Sequence, residues 1–493
     1  MDGSATHTAI ALVGAGFGGL GAAIRLRRAG YRDFLVFDRG ADVGGTWRDN
    51  TYPGCACDVP SHLYSLSFAP NPDWSRSFSP QPEIWAYLRR VADEHGVRPH
   101  LRLAHEVHSA AWDAERRVWR LATSHGAYTA DVLVAAGGPL TEPSVPDLPG
   151  LAGFQGELFH SARWRHDLDL TGRRVAVVGT GASAIQFVPR IAPEVAHLTL
   201  LQRTPAWVLP RRDRPITALE RALFRHVPGA QRLARAAVYW AREAQGTAFL
   251  RPALMRFGQA MARRHLRRAV ADPVLRAKLT PRYTMGCKRV LLSDDYYPAL
   301  TRDNVEVVTE AVTRVTPSGV VTADGREHPV DTIIFGTGFH VTNLPLARTV
   351  RGADGRTLAE HWGGSMYAYR GLTVSGFPNL FLLLGPNTGL GHNSVVFMIE
   401  AQLDYLLGAL RHLDRTGVPI EPTERAQREY NAALDRRMRG TVWTTGGCRS
   451  WYLDGSGRNS TLWPGYTWSY WLRTRRFDAG AYRAVGATAG GGR

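Results

Sequence analysis

Long hydrophobic runs are absent from this chain of 493 residues. A helix that crosses a membrane needs about 20 consecutive, predominantly apolar residues, and no segment of the sequence has that character. The first apolar stretch also lacks a basic leader and a small-residue cleavage site, which favours a buried strand over a signal peptide. We therefore expect a soluble, cytoplasmic protein.

Cysteine is scarce as well. Cys55, Cys57, Cys287 and Cys448 are too few and too scattered for a disulfide framework or for a zinc site of standard spacing. Enzymes that work through a redox-active cysteine pair commonly space it C-x-x-C or wider, whereas a single residue separates Cys55 from Cys57. We expect four reduced thiols, no metal site and no dithiol chemistry.

Acidic residues are outnumbered, with 43 Asp and Glu against 60 Lys and Arg and a formal net charge of +17. Much of the excess lies in residues 211–282, which hold 17 basic and 4 acidic side chains. Apolar residues recur at helical spacing among these arginines, which predicts a solvated helical insertion. Docking of the insertion on an acidic partner or an anionic membrane surface stays open. No nucleic-acid partner is expected, because no known binding module is apparent.

Glycine is plentiful, and a glycine-rich turn follows the first strand-like segment. The turn contains Gly14, Gly16 and Gly19, and the next apolar strand stops at Asp38. In a βαβ nucleotide-binding unit, such glycines allow close backbone approach to a pyrophosphate, and a carboxylate at the end of the second strand meets the ribose 2′-hydroxyl. These four residues therefore predict a dinucleotide site without a 2′-phosphate, such as an FAD site.

A second unit of the same construction begins near Val175. Its charged residue, Arg203, lies 24 positions after the first glycine of its turn, as Asp38 does in the first unit. A guanidinium at this place matches a 2′-phosphate, which predicts NADPH as the second nucleotide. The residues assigned to this site are Gly179, Thr180, Gly181, Ser183, Arg203 and Thr204.

The two units predict an α/β fold with two Rossmann-like dinucleotide-binding domains, for FAD and NADPH, and a helical insertion. Four prolines within 139–149 are typical of a stiff interdomain connection. We predict a first part of the FAD-binding domain at 1–140, a first part of the NADPH-binding domain at 141–210, the basic insertion at 211–283, a second NADPH part at 284–338, and a second FAD part with the C-terminal segment at 339–493. The glycine-rich end, 488–493, is expected to be disordered.

Three local motifs carry a resemblance to a known family. Residues 45–58 fit the pattern G-x-W-x-x-x-x-[FY]-P-G-x-x-x-D, residues 154–164 fit F-x-G-x-x-x-H-x-x-x-W, and Lys288-Arg289 follows Tyr283. The chain thereby resembles class B flavoprotein monooxygenases of the type I Baeyer-Villiger kind. Stretches 385–393 and 448–464 are most similar to the branch that resembles hydroxyacetophenone monooxygenase.

The resemblance implies an NADPH-dependent enzyme that forms a C4a-peroxyflavin with O2 and inserts one oxygen atom next to a ketone carbonyl, which gives an ester or lactone. It implies Arg289 as the catalytic cation and Asp58 as the group that orients it. A guanidinium suits this role because it stays charged in a dry site and favours an anionic nucleophile. It further implies contacts to FAD from Gly45, Thr46, Trp47, Asp58 and Tyr64, and contacts to NADPH from Lys288 and Trp451.

Two alternatives stay open at this point. Arg165 stands where the family usually has proline or aspartate after the tryptophan of its fingerprint, so oxygenation of nitrogen or sulfur competes with oxygenation of a ketone. A protein of another class, a flavin-containing binding or regulatory protein that docks through its basic insertion, also fits the charge pattern. The identity of the ketone and the oligomeric state do not follow from the sequence.

Overall fold

The structure is a computed structural model that describes residues 5–486. The disorder predicted for 488–493 concerns residues outside this range. No helix of the described chain is both long enough and apolar enough to cross a membrane.

Twenty strands are present in residues 5–486. They are β1 (Thr6–Val13), β2 (Phe34–Phe37), β3 (Leu101–Arg102), β4 (Val107–Asp113), β5 (Val118–Thr123), β6 (Gly126–Ala135), β7 (Glu157–His160), β8 (Arg174–Val178), β9 (His197–Leu201), β10 (Val208–Leu209), β11 (Leu291–Leu292), β12 (Val305–Val308), β13 (Val312–Thr316), β14 (Gly319–Thr322), β15 (Glu327–Pro329), β16 (Thr332–Phe335), β17 (Val350–Arg351), β18 (Leu380–Leu382), β19 (Ile420–Pro422) and β20 (Tyr482–Ala484).

Fourteen α-helices occur in the same range. They are α1 (Phe17–Arg28), α2 (Thr46–Asp49), α3 (Gln81–Glu94), α4 (Ala184–Ile191), α5 (Ala218–His226), α6 (Ala230–Leu250), α7 (Met255–Ala269), α8 (Pro273–Lys278), α9 (Tyr296–Leu300), α10 (Leu358–Trp362), α11 (Val395–Thr416), α12 (Glu424–Met438), α13 (Val442–Thr445) and α14 (Thr467–Thr474).

The first large sheet has the order β17-β4-β5-β6-β1-β2-β3, and β18 also pairs with β6. Its inner strand β1 runs parallel to both β2 and β6. Both faces of β1 are buried, because Ile10 and Leu12 pack in one core cluster and Ala11 packs in another, so β1 is an apolar run rather than an alternating one. The glycine turn of the first unit follows β1 directly.

The second large sheet has the order β12-β9-β8-β16-β7, and all its strands are parallel. It repeats the construction of the first sheet at the glycine turn. The Gly14 amide donates a hydrogen bond to the Phe37 carbonyl at the end of β2, and the Gly179 amide donates to Leu201 at the end of β9. The predicted α/β fold with two Rossmann-like units is therefore confirmed.

The chain passes between the two sheets along neighbouring paths. The Ser144 amide donates a hydrogen bond of 2.8 Å to the Gly338 carbonyl, and Pro143 forms an isolated bridge with Phe339. The proline-rich connection therefore lies beside the return connection, so both crossings share one narrow region.

Helices α5 to α8 form the basic insertion. Helix α6 is anchored by Glu243, which is only 2% exposed. Its carboxylate accepts hydrogen bonds from the Asn393 side chain at 2.6 Å and from the Thr467 hydroxyl at 2.7 Å. A buried carboxylate needs such donors, so this network ties the insertion to the C-terminal third of the chain.

The expectation of four reduced thiols is wrong for two of them. Cys287 and Cys448 form a disulfide with their Cα atoms 6.2 Å apart, although 161 positions separate them in sequence. Cys55 and Cys57 are buried free thiols. Sequence spacing could not identify the pair, because only the tertiary fold brings these two segments together.

Candidate active site

A cavity of about 390 Å³ opens where the strands of the first sheet end. Seven of the residues predicted to bind FAD line it, and Gly19 and Asp58 do not. The lining residues from that set are Gly14, Gly16, Asp38, Gly45, Thr46, Trp47 and Tyr64.

The three glycines of the first turn differ in what surrounds them. A Cβ atom on Gly14 would come within 2.6 Å of the Ala136 carbonyl oxygen, and one on Gly19 would overlap the Gly14 carbonyl oxygen. Gly16 has an ordinary φ of −84°, and the nearest atom to a Cβ there lies at 3.7 Å. Internal packing therefore explains Gly14 and Gly19, whereas the missing side chain of Gly16 leaves room on the cavity wall for a pyrophosphate.

The second turn repeats this distinction. A Cβ on Gly179 would lie 2.6 Å from the Gly336 carbonyl oxygen, while one on Gly181 would lie 3.7 Å from the same atom. Thr180 donates a hydrogen bond of 3.4 Å to the Thr204 carbonyl. The open second glycine in both turns fits close approach of a dinucleotide backbone.

Asp38 is already hydrogen-bonded within the protein. Its carboxylate accepts bonds from the Ala15 amide at 2.7 Å, the Gly40 amide at 2.8 Å and the Arg48 guanidinium at 2.6 Å. Sequence reasoning missed Arg48, which also lines the cavity. No sequence signal marks this residue, because the turn at Gly45 determines where α2 directs its side chains.

The glycine pair before α2 places Trp47. Gly45 has a φ of +52°, in the left-handed region that favours glycine, and a Cβ on Gly44 would lie 2.8 Å from the Trp85 ring. Trp47 then donates a hydrogen bond of 3.1 Å from Nε1 to the Tyr64 hydroxyl, and the two rings meet edge to face at 5.6 Å. Both aromatic rings are therefore fixed on the cavity wall.

Arg289 and Asp58 form a two-pronged ion pair. Nε donates to Oδ2 at 2.9 Å and Nη2 donates to Oδ1 at 2.7 Å. Nη1 makes no hydrogen bond to Asp58, and the Arg289 side chain keeps 33% of its surface exposed. The geometry thus holds the guanidinium plane still and leaves one nitrogen outside the ion pair.

Electrostatics keeps both members of this pair charged. Burial has the largest single effect and raises the pKa of Asp58. The charge and hydrogen bonds of Arg289, together with the Arg211 charge, lower it by more, so the net change is downward. The Asp58 charge in turn raises the pKa of Arg289 above its ordinary value, against the opposing effect of burial. The charges of both residues also act on Tyr64, a residue of the cavity wall, although neither Arg289 nor Asp58 lines the cavity itself.

Two further residues close to the pair were missed in the sequence. Arg211 donates a hydrogen bond of 3.0 Å to the Cys57 carbonyl, and its charge also lowers the pKa of Asp58. Tyr452 is 1% exposed; burial raises its pKa to about 12, and the Arg289 charge acts in the opposite direction. Arg211 belongs to no local motif, whereas Tyr452 lies in the stretch 448–464 that carries the family resemblance, without a role assigned to it there.

Arg203 and Lys288 are linked electrostatically although 85 positions separate them. Arg203 is exposed just after β9. Burial lowers the pKa of Lys288, and the Arg203 charge lowers it further. Neither side chain has a carboxylate within 4 Å in the described part of the chain. Two neighbouring cations without carboxylate partners suit a phosphate.

The remaining predicted residues are placed as follows. Trp451 keeps 44% of its surface exposed, and its ring lies 4.3 Å from that of Tyr452. His160 accepts a hydrogen bond of 3.1 Å from the Ala162 amide, and burial lowers its pKa to about 4. Arg165, the departure from the family fingerprint, is an exposed residue paired with Asp167 at 2.6 Å.

Sequence comparison gives consistent matches over most of the chain. Residues 7–350 match the family described as flavin-binding monooxygenase-like. A Baeyer-Villiger monooxygenase of Streptomyces coelicolor is 56% identical over 482 residues, which cover 97% of this chain and 93% of that protein. One of Pseudomonas aeruginosa is 51% identical over 484 residues, with coverage of 97% and 92%.

Solved structures agree with the sequence matches. The closed crystal structure of cyclohexanone monooxygenase superposes with a TM-score of 0.87 at 30% identity, and the match covers 98% of this chain and 99% of that one. The crystal structure of OTEMO in complex with FAD and NADP gives a TM-score of 0.88 at 28% identity, with coverage of 98% and 100%. Both matches span the two sheets and the insertion.

Proposed function

Because the chain belongs to the flavin-binding monooxygenase-like family, we propose that its Arg289–Asp58 pair is the catalytic centre. The protein is an FAD- and NADPH-dependent Baeyer-Villiger monooxygenase, which uses O2 to insert one oxygen atom beside a carbonyl group. One observation carries the assignment of the centre: Arg289 is bound to Asp58 through Nε and Nη2, while Nη1 takes no part in this ion pair.

The flavin, when bound and reduced by NADPH, supplies the activated oxygen. Arg289 presents a fixed positive charge through Nη1, which favours the anionic form of an attacking oxygen and then stabilises the oxyanion that develops at the ketone carbonyl. A preorganised donor of this kind contributes on the order of 3 to 4 kcal/mol at the transition state. Arginine is suited to the task because no accessible pH removes its proton.

Asp58 acts on Arg289 and touches no reacting atom in this proposal. Its two oxygens accept the bonds that fix the guanidinium plane. Such charge-assisted pairs are directional, so the ion pair also fixes the direction in which Nη1 points. Arg211 lies behind Asp58 and supports its ionised form.

The residues around the cavity fit FAD. The open face of Gly16 and the adjacent Gly14 turn would receive the pyrophosphate, and Asp38 lies where the ribose is expected. Trp47 and Tyr64, joined by their hydrogen bond, would contact the flavin, together with Gly45 and Thr46. Gly19 contributes through packing of the turn.

A second set of residues fits NADPH. Gly179, Thr180, Gly181 and Ser183 would surround its pyrophosphate, in the pattern of the first unit. The two cations, Arg203 and Lys288, with Thr204, would bind the 2′-phosphate. Trp451 would lie at the nicotinamide end of the bound NADPH.

The five-part division at 1–140, 141–210, 211–283, 284–338 and 339–493 stays part of the proposal. Its support is the pairing of the two connections, at Ser144 with Gly338 and at Pro143 with Phe339. Two adjacent crossings would allow one domain to rotate against the other about a single region. A cytoplasmic location is proposed because the reaction consumes NADPH.

The substrate class proposed is a ketone. Related structures of cyclohexanone monooxygenase hold cyclohexanone or ε-caprolactone. The test is product identification with purified, FAD-loaded protein, NADPH and ¹⁸O₂, over a panel of ketones with matched sulfides. We expect esters or lactones with one ¹⁸O atom. Formation of sulfoxides without ester from any ketone would show that the enzyme oxygenates heteroatoms instead. Absence of any oxygenated product would contradict the proposal.

A further inference from the structure

The Cys287–Cys448 disulfide joins the two segments that carry Arg289 and Trp451. Cys287 is 1% exposed and stands two positions before Arg289. Cys448 stands three positions before Trp451 and is half-buried. Neither cysteine belongs to the motifs of the proposed centre.

The disulfide lies at the edge of a small core that collects side chains from three parts of the chain. Phe249 and Met255 come from the insertion, Cys287 follows Met285, and Trp443 comes from the C-terminal third. The packing is tight where the two cysteine segments meet. A Cβ on Gly446 would lie 2.5 Å from the Cys287 Cβ atom, and the Thr284 amide donates a hydrogen bond of 2.9 Å to the Gly446 carbonyl.

A ring of linked residues surrounds Arg289, and one of its links is electrostatic. Its charge acts on Tyr452, Tyr452 lies four positions after Cys448, and Cys448 is bonded to Cys287, two positions before Arg289. Asp58 holds the guanidinium from one side, and this ring restrains its backbone from the other. Opening the disulfide removes the covalent member of the ring.

We propose that the Cys287–Cys448 disulfide is a positioning bond for oxygen insertion, which its reduction weakens. The proposal rests on the function assigned to Arg289 above. A displacement of the guanidinium of about 1 Å is enough to lower a rate by roughly a hundredfold. Reduction of the disulfide should therefore favour the uncoupled reaction, in which NADPH, H⁺ and O2 give NADP⁺ and H2O2.

Opening the bond requires a dithiol reductant. The dithiol supplies two electrons and two protons, becomes a disulfide itself, and leaves thiols at Cys287 and Cys448. Attack is expected at the half-buried Cys448 sulfur, because Cys287 is buried. Arg449 and Lys288 stand next to the two cysteines, and neighbouring positive charge favours the departing thiolate.

The other two cysteines do not interfere with a chemical test. Burial raises the pKa of Cys55 to about 12, and it raises the pKa of Cys57 well above its ordinary value. Thiols of this kind react slowly with alkylating reagents in the folded protein. Alkylation after brief dithiothreitol treatment should therefore label Cys287 and Cys448.

The first measurement maps the bond in the FAD-loaded protein. Non-reducing digestion and mass spectrometry should find the peptides of Cys287 and Cys448 linked, and dithiothreitol should convert both to alkylated thiols. Two free thiols at these positions in protein kept under air would overturn the proposal.

The second measurement is the coupled fraction, which is the share of consumed NADPH that yields ester. The remaining share yields H2O2. Reduction, or the substitution Cys448→Ser, should lower the coupled fraction by about tenfold relative to the oxidised protein, with the rate of flavin reduction changed less than twofold. Reoxidation of the wild-type chain should restore coupling. The Cys287→Ser/Cys448→Ser double variant is the matched control, and dithiothreitol should leave its coupling unchanged.

The outcomes separate this proposal from the function on which it rests. Failure of the oxidised protein to make ester from any ketone contradicts the function and with it the positioning role. With ester formation established, full coupling in the reduced protein contradicts the positioning role alone. Bound FAD and circular dichroism check that reduction leaves the fold intact, so the coupling of the reduced wild-type chain decides the matter even where a serine variant fails to fold.

Discussion

Asp58 and Arg289 meet through three hydrogen bonds, of 2.9, 2.7 and 2.6 Å, although 231 positions separate them in sequence. The pair connects the glycine-tryptophan motif that ends at Asp58 with the segment that follows Tyr283. Only two of the three guanidinium nitrogens of Arg289 take part in this contact, and the proposed function assigns the third, Nη1, to the reaction.

Asp58→Asn should slow oxygen insertion without slowing flavin reduction. The amide keeps the shape of the carboxylate but removes one acceptor and the negative charge, so the guanidinium loses its fixed plane. We expect the rate of ester formation to fall by roughly tenfold to a hundredfold. Rapid mixing under anaerobic conditions measures flavin reduction, and product analysis measures ester.

The matched control for this substitution is Asp404→Asn. Asp404 also binds an arginine, Arg25, at 2.7 Å, but Arg25 lies on α1 and has no part in the proposed centre. Its removal should leave both rates within twofold of the wild type. Equal losses of ester formation in the two variants would show that any broken ion pair has this effect and would contradict the role given to Asp58.

Arg203→Gln should weaken the binding of NADPH without weakening the binding of NADH. A charge-assisted hydrogen bond contributes about 1.5 to 3 kcal/mol, so the KM for NADPH should rise by roughly tenfold to a hundredfold. NADH lacks the 2′-phosphate and should show little change. Steady-state kinetics with both nucleotides checks the prediction.

Arg174→Gln provides the control for Arg203. Arg174 begins β8, at the opposite end of the same sheet, and pairs with Asp331 at 2.7 Å. It should leave the KM of both nucleotides unchanged. An equal rise in the KM for NADH in the Arg203 variant would contradict the assignment of that residue to the 2′-phosphate.

Gly16→Ala and Gly14→Ala should fail in different ways. Alanine at Gly16 meets no close protein atom and adopts its φ of −84° without strain, so the apoprotein should keep its melting temperature while FAD affinity falls by about tenfold or more. Alanine at Gly14 must adopt a φ of +111° and approach the Ala136 oxygen, so the fold itself should lose stability.

The readouts for the glycine pair are FAD content after purification and the melting temperature of the apoprotein. Full FAD occupancy in Gly16→Ala would contradict the placement of the pyrophosphate at that glycine. The corresponding pair in the second unit is Gly181 and Gly179.

His160 should make stability depend on pH in the acidic range. Burial lowers its pKa to about 4, so the unfolded state binds more protons than the folded state between about pH 4 and 6.5. The contribution of neutral His160 is therefore present above pH 6.5 and is lost as the pH falls towards 4. The melting temperature of the wild type should fall over this interval more steeply than that of His160→Asn, and identical profiles would contradict the prediction.

Local chemistry explains how much of the fold could be predicted. The turns at Gly14 and Gly179, and the charges at Asp38 and Arg203, lie within single βαβ units, so spacing alone revealed them. The contact of Arg289 with Asp58 was expected from a family resemblance, because nothing local connects the two residues.

The features that were missed are all long-range or depend on the fine geometry of a turn. The disulfide joins segments 161 positions apart, and the anchoring of Glu243 by Thr467 spans a still longer stretch. Arg48 reaches Asp38 only because Gly45 adopts a left-handed conformation. Such contacts follow from packing, and no periodicity or motif specifies them.

Arg289→Ala gives the most direct test of the central claim, that a guanidinium beside the flavin makes oxygen insertion possible. Single-turnover experiments should show flavin reduction by NADPH within a few-fold of the wild-type rate. Ester formation should fall by at least about a hundredfold, with the consumed oxygen recovered as H2O2. Ester formation at the wild-type rate in this variant would contradict the account.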